Sequence, residues 1–125
     1  MWIFYNPNPL ALRKIDCSIR ALCAVTGMEW DDVHREVSEL ARQMGTMAVD
    51  DDAWGAFLRR RGWKRASIPD TCPDCYTVRR FCEDHPQGMY VLCPHGHAVA
   101  AVSGCWMDTW DSGDEVPMYY WYKED

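Results

Sequence analysis

The run Ala21-Leu22-Cys23-Ala24-Val25 puts an apolar side chain on every side of a helix. A helix that is apolar all round has no face to give to water and must be covered from several directions. Such a chain needs further layers around one central helix. Its 125 residues are enough to bury a core of that kind without disulfide staples, and the length predicts one domain over residues 1–125. The helix carries its own boundary signals. Asp16 is an N-cap type and Gly27 a stop, which predicts a helix from Cys17 to about Thr26. Cys17 therefore stands at the first helical position, ahead of the apolar run.

The elements that could cover this helix follow it in the sequence. Over residues 28–45, Trp30, Val33, Val37, Leu40 and Met44 keep a helical spacing that ends at Gly45. Over residues 50–62, acids open and arginines close a third helix whose apolar face is Trp54, Phe57 and Leu58, the charge order that suits the helix dipole. Residues 62–68 read as a short strand, 68–75 as a Pro-bearing loop and 77–85 as a fourth, short helix. "GMYVLC", "HAVAAV", "CWMDTW" and "PMYYWYK" then read as strands separated by turn residues. Residues 1–15 are expected to be extended and then looped, because each Pro of Asn6-Pro7-Asn8-Pro9 keeps the residue before it out of the α region. Helices followed by strands predict an α+β fold, with the central helix packed on a C-terminal antiparallel sheet.

The net charge of −6 speaks against general nucleic-acid binding, which needs a basic footprint. Arg59, Arg60, Arg61, Lys64 and Arg65 form one local basic knot, read as a solvated helix end. No run approaches the length of a membrane span, and the opening residues lack the pattern of a secretory signal. A cytoplasmic location is expected, and with it seven cysteines held mostly as thiols.

A thiol nucleophile needs a lowered pKa and a base. The N-terminus of a helix supplies free N–H groups and the positive end of a dipole, so Cys17 is the candidate nucleophile. His97, which opens a strand after Gly96, is the candidate base, with His95 as the fallback. The imidazole needs an orienting acceptor, and Asp108 and Asp111 are within range. A two-residue hairpin turn at Ser103-Gly104 would pair Val102 with Cys105 and Ala100 with Met107. That register puts Asp108 on the face of His97 and Asp111 on the other, and it sets Trp110 beside the ring. Asp16, next to the thiol, is expected to cap the helix amides, which would partly neutralise a charge that opposes the thiolate.

These residues carry a resemblance. Asn6-Pro7-Asn8-Pro9, Asp16-Cys17 with Arg20-Ala21, His97-Ala98-Val99 and the stretch Asp108 to Ser112 resemble the papain-like cysteine peptidase fold, and are most similar to small phage-encoded members of that group. The resemblance covers almost the whole chain. It implies a papain-like fold and a Cys17/His97/Asp108 triad acting on an amide, isopeptide or thioester bond, without a cofactor. It also implies a peptide or host-protein substrate inside a bacterial cell. Papain-like peptidases usually carry an oxyanion-stabilising Gln six residues before the cysteine. Ala11 occupies that position here, so Asn6 or Asn8, with the N–H of Cys17, would take the part.

Two other readings stand beside this one. The fold could serve as a binding module without catalysis, for instance a phage inhibitor of a host defence protein. Cys72, Cys75, Cys82 and His85 have the ligand types of a small zinc site, with Cys93 and His95 as substitutes. Helix geometry argues against that site, because Cys82 and His85 are carried away from the Cys72–Cys75 turn. The expectation is no metal.

Overall fold

The computed structural model describes residues 1–124. In chain order the elements are β1 (Trp2–Phe4), α1 (Cys17–Thr26), α2 (Trp30–Met44), α3 (Asp51–Arg59), β2 (Trp63–Ser67), α4 (Val78–Asp84), β3 (Met89–Pro94), β4 (Val99–Val102), β5 (Cys105–Asp108) and β6 (Pro117–Lys123). The fold is α+β. The strands form one six-stranded sheet in the order β1-β5-β4-β3-β6-β2.

The sheet is mixed, which corrects the expectation of an antiparallel one. Strand β1 runs parallel to β5, with Trp2 opposite Trp106 and Phe4 opposite Asp108, while every other pair is antiparallel. Three residues are too few to show a period, and their partner lies about a hundred positions away. Nothing local announces the pairing. The contact bears on the site, because Tyr5 N–H and Trp2 Nε1 both donate to the carbonyl of Asp108, at 2.9 and 3.1 Å.

Strand alternation divides the core. Val91, Cys93, Ala98, Ala100 and Trp121 face one side, where α1, α2 and α3 pack. Leu92, Val99, Ala101 and Trp106 face the other, where Val78, Phe81 and Cys82 of α4 cover them. Helix α1 touches β3, β4 and β5 on one side and α2 and α3 on the other. Leu22, Cys23 and Val25 are buried as the apolar run demands. The dipeptide Ser18-Ile19 and the charged Arg20 are buried with them.

Helix α2 begins at Trp30, two residues later than the pattern suggested. Val33, Val37, Leu40 and Ala41 are buried, while Met44 at its end is exposed. Gly27 and Gly45 close α1 and α2 in the left-handed conformation. Three arginines of the basic knot are engaged within the chain. Arg61 Nη2 bonds Glu36 Oε1 at 2.9 Å, Arg59 lies over Trp121 and Arg65 over Tyr119. No helix among the described residues is long and apolar enough to cross a membrane.

The loop after Asp108 is packed tightly. A Cβ built on Gly113 would lie 2.7 Å from Cζ2 of Trp106, a clash with a buried ring that is also held by its Nε1 bond to Asp111. Gly113→Ala is expected to lower stability by about 1–3 kcal/mol, read from the urea midpoint. An unchanged midpoint would mean that the loop shifts freely.

Candidate active site

Cys17 is the first residue of α1, at the face where α1 meets the sheet. His97 lies just before β4, brought there by a turn in which His97 N–H donates to the carbonyl of Pro94 at 3.1 Å and Gly96 takes φ 68°. Cys17 and His97 border the same cavity and the same groove, and the imidazole and the Ala98 N–H both favour the thiolate.

The hairpin register decides the third residue. Ser103 and Gly104 have φ of 51° and 78°, the left-handed pair of a two-residue turn, and Val102 pairs with Cys105 and Ala100 with Met107. His97 Nε2 bonds Asp108 Oδ2 at 2.6 Å. The ring of Trp110 lies 5.1 Å from that of His97, beside the imidazole as the register requires. Asp111 is exposed and turned elsewhere, accepting from Trp106 Nε1 at 2.8 Å and from the Gly113 N–H at 3.0 Å. Asp111→Asn is therefore expected to leave the alkylation rate of Cys17 within about twofold of wild type. A larger loss would place Asp111 in the site.

The carboxylate of Asp108 is 1% exposed and has four partners. Besides His97, Ser112 Oγ donates to Oδ2 at 2.7 Å, and the Thr109 N–H and Arg20 Nη2 donate to Oδ1 at 2.8 and 3.0 Å. Burial opposes its charge, but these donors, His97 foremost, hold the carboxyl below its ordinary range. An ionised acceptor keeps a proton on His97 Nε2 and leaves Nδ1 for the thiol.

The thiols divide by environment. Burial pushes Cys23 up to about 12 and Cys82 up to about 11, and raises Cys93 further. Burial works on Cys17 in the same direction, but His97, the Ala98 N–H and the charge of Arg20 outweigh it, and the thiol sits below its ordinary value. His97 moves the opposite way. Desolvation would lower it, but Asp108 and Cys17 raise it to about 9. Across the interval between the two, the pair is thiolate and imidazolium, and it titrates as a unit.

Space for a substrate lies on both sides of the pair. A cavity of about 350 Å³ is bordered by Cys17, His97, Asp51, Trp54, Met118 and Tyr119. On the other side Cys17 and His97 border an open groove with Arg13, Lys14, Thr109 and Trp110. His95, exposed at the turn, lines the first cavity.

Several expected residues have other tasks. Asp16 does not cap α1 with its side chain. Its Oδ1 pairs with Arg20 and its Oδ2 accepts from Trp30 Nε1 at 3.0 Å, because a buried guanidinium one turn along is the stronger partner. The amides of Cys17, Ser18 and Ile19 consequently have no partner among the described residues. Asn6 Nδ2 donates to the Leu12 carbonyl and Asn6 Oδ1 accepts from the Asn8 N–H, while Asn8 Oδ1 accepts from the Leu10 N–H. Both asparagines shape the loop around Ala11 and line neither cavity at Cys17.

The proposed zinc ligands are scattered. Cys72 and Cys75 are exposed, and Cys82 is buried on the face of α4 that covers the sheet. Cys93 is buried in β3. His85 stacks on Phe81, with its Nδ1 on the Phe81 carbonyl. No group of three or more His, Cys, Asp or Glu able to hold a metal stands together among the described residues.

Sequence reasoning assigned no role to Arg20 or Ser112. The signal for Arg20 was present, since Asp16 and Arg20 are spaced i, i+4 on one helical face. Ser112 left none, because its contact with Asp108 depends on how the loop after β5 turns back. Compared with family models, with curated proteins and with solved structures, the chain matches none of them.

Proposed function

We propose that this protein is a papain-like cysteine hydrolase or acyltransferase acting on an amide, isopeptide or thioester bond, with Cys17 as nucleophile, His97 as acid and base and Asp108 as the residue that orients His97. The observation that carries this reading is the 2.6 Å bond between His97 Nε2 and the buried carboxylate of Asp108, at a cavity that Cys17 also borders. Cys17 is lowered beside an imidazole tied to a buried carboxylate, in a cleft open on both sides, whereas three other thiols of the chain are raised by burial. The sequence resemblance to phage-encoded papain-like proteins supports a peptide or host-protein substrate in a bacterial cell.

The chemistry follows from the groups present. The Cys17 thiolate adds to the carbonyl carbon, and the electron pair moves to the carbonyl oxygen. Unpaired amides of the first turn of α1 stand beside the sulfur and suit that oxyanion better than either asparagine. As the tetrahedral centre collapses, the bond to the leaving group breaks and the imidazolium of His97 gives it a proton. This leaves a thioester on Cys17 and a neutral imidazole. The imidazole then takes a proton from water, or from an acceptor amine, as that group attacks the thioester. The thiolate leaves and the imidazolium is restored.

The test is acylation by an activated ester such as p-nitrophenyl acetate, followed by intact mass. One acetyl group on Cys17 is expected, formed faster than on a small-molecule thiol at the same pH and absent in Cys17→Ala. Acetylation no faster than that of N-acetylcysteine, and unaltered by His97→Ala, would overturn the reading in favour of a binding module.

A further inference from the structure

Arg20 is 5% exposed, on a helix whose neighbours are apolar. A charged side chain is seldom placed there without a specific demand on it. Its guanidinium forks between two acids. Nη1 meets Asp16, which is four residues back and also held by Trp30, and Nη2 meets Asp108 of β5 at 3.0 Å. Its Nε is buried with no partner among the described residues. Nη1 also reaches the Lys14 carbonyl at 3.4 Å, so both η nitrogens are engaged while the third donor is not.

We propose that Arg20 is the positioning residue of this site: one buried guanidinium aims Asp108 at His97 and draws the carboxylate of Asp16 away from the amides at the N-terminus of α1. The second task is the less obvious one. An Asp directly before a helix ordinarily turns its side chain onto the first-turn N–H groups. In this chain that would set a negative charge over the amides beside Cys17, where a thiolate and then an oxyanion must form. Arg20 diverts it, so the positive end of α1 stays open to the sulfur. Charge alternates along the chain of contacts, from Asp16 to Arg20 to Asp108 to His97 to Cys17.

The inference rests on the reading of Cys17 and His97 as a reactive pair, but its test needs no substrate. The groups facing that pair are Arg20 from α1, Asp108 from β5, His95 from the turn before β4, Arg13 and Lys14 across the groove, and Asp51 and Tyr119 across the cavity. The experiment follows thiolate absorbance near 240 nm against pH for the full chain. It also follows, by proton NMR, the downfield resonance of the His97 Nε2 proton shared with Asp108.

Arg20→Met should raise the Cys17 midpoint by about one pH unit, a tenfold change in thiolate fraction below it, and should broaden or remove the resonance. Adding Asp16→Asn to Arg20→Met should reverse more than half of the midpoint shift without restoring the resonance, because only the stray carboxylate is then removed. A side chain that merely supported the fold would leave both readouts unchanged in any variant that folds.

Arg20→Lys, which reaches only one carboxylate, and Trp30→Phe, which frees Asp16 on its other side, should each raise the midpoint by less. These two decide the matter if Arg20→Met does not fold. Unchanged midpoints in both would overturn the proposal. A low wild-type midpoint that Arg20 variants shift, in a protein that p-nitrophenyl acetate does not acylate, would sink the catalytic reading and leave the role of Arg20 standing.

Discussion

His97→Ala is expected to raise the titration midpoint of Cys17 by about 1–3 pH units and to slow its acylation by about 10²–10⁴-fold. Burial already pushes the Cys17 thiol up, and His97 is the first of the groups that pull it down. Removing the imidazole leaves the desolvation in place and takes away the main counter-charge, and the proton donor for the leaving group goes with it. A pH dependence specific to the pair should accompany this result in the wild type. Below about pH 9 the raised His97 is an imidazolium, which attracts an anionic reagent to the thiolate. The ratio of alkylation rates for iodoacetate and iodoacetamide should therefore fall as pH rises through about 9. In His97→Ala the ratio should be flat across that range. A wild-type ratio independent of pH would mean that no imidazolium stands beside the sulfur.

Asp108→Ala is expected to destabilise the fold by about 3–5 kcal/mol, the usual consequence of removing one partner from a buried charged pair. Its four donors, His97, Ser112, Thr109 and Arg20, all lose their acceptor together. Arg20 keeps only Asp16 as counter-charge in a position with little access to water. The effect has a pH signature whose sign is set by the lowered carboxyl. A carboxyl depressed on folding contributes its stability above its unfolded pKa, about 4, and loses it as pH falls through the folded value. The gap between wild type and variant should be full at neutral pH and should narrow below about pH 4. Chemical unfolding at a series of pH values measures it, and a gap that stays constant into acid would show that packing, not charge, dominates. Asp108→Asn fills the space but presents an N–H to either Arg20 or His97. It should keep more of the stability than Asp108→Ala while still slowing acylation by about 10³–10⁴-fold.

Much of the fold was readable because its signals are local. The boundaries of α1 follow from Asp16, the apolar run and Gly27. The apolar face of α3 follows from the spacing of Trp54, Phe57 and Leu58. The four C-terminal strands follow from apolar runs broken by turn residues. The choice of Asp108 over Asp111 was also local, since it needed only the length of one turn and the period of two in a strand. What could not be read depends on approach from a distance. Strand β1 exists because β5 is there to pair with it. Helix α4 lies on the far face because Phe81 and Val78 find Leu92, Val99 and Trp106 there, and nothing in residues 77–85 states which face that is.

The same division runs through the site. Cys17 at a helix start and Asp108 on the face that meets His97 are consequences of sequence period and turn length, while His97, expected to open a strand, sits in the turn two residues before β4 begins at Val99. The direction of the Asp16 side chain is not such a consequence. Read alone, Asp16 is a helix cap, because its nearest donors are the amides that follow it. In the folded chain Arg20 is buried between α1 and β5, where a charge must be paired, and it recruits both Asp16 and Asp108. Burial raises the worth of an ion pair over that of a cap in water, and burial is a property that only the tertiary structure confers.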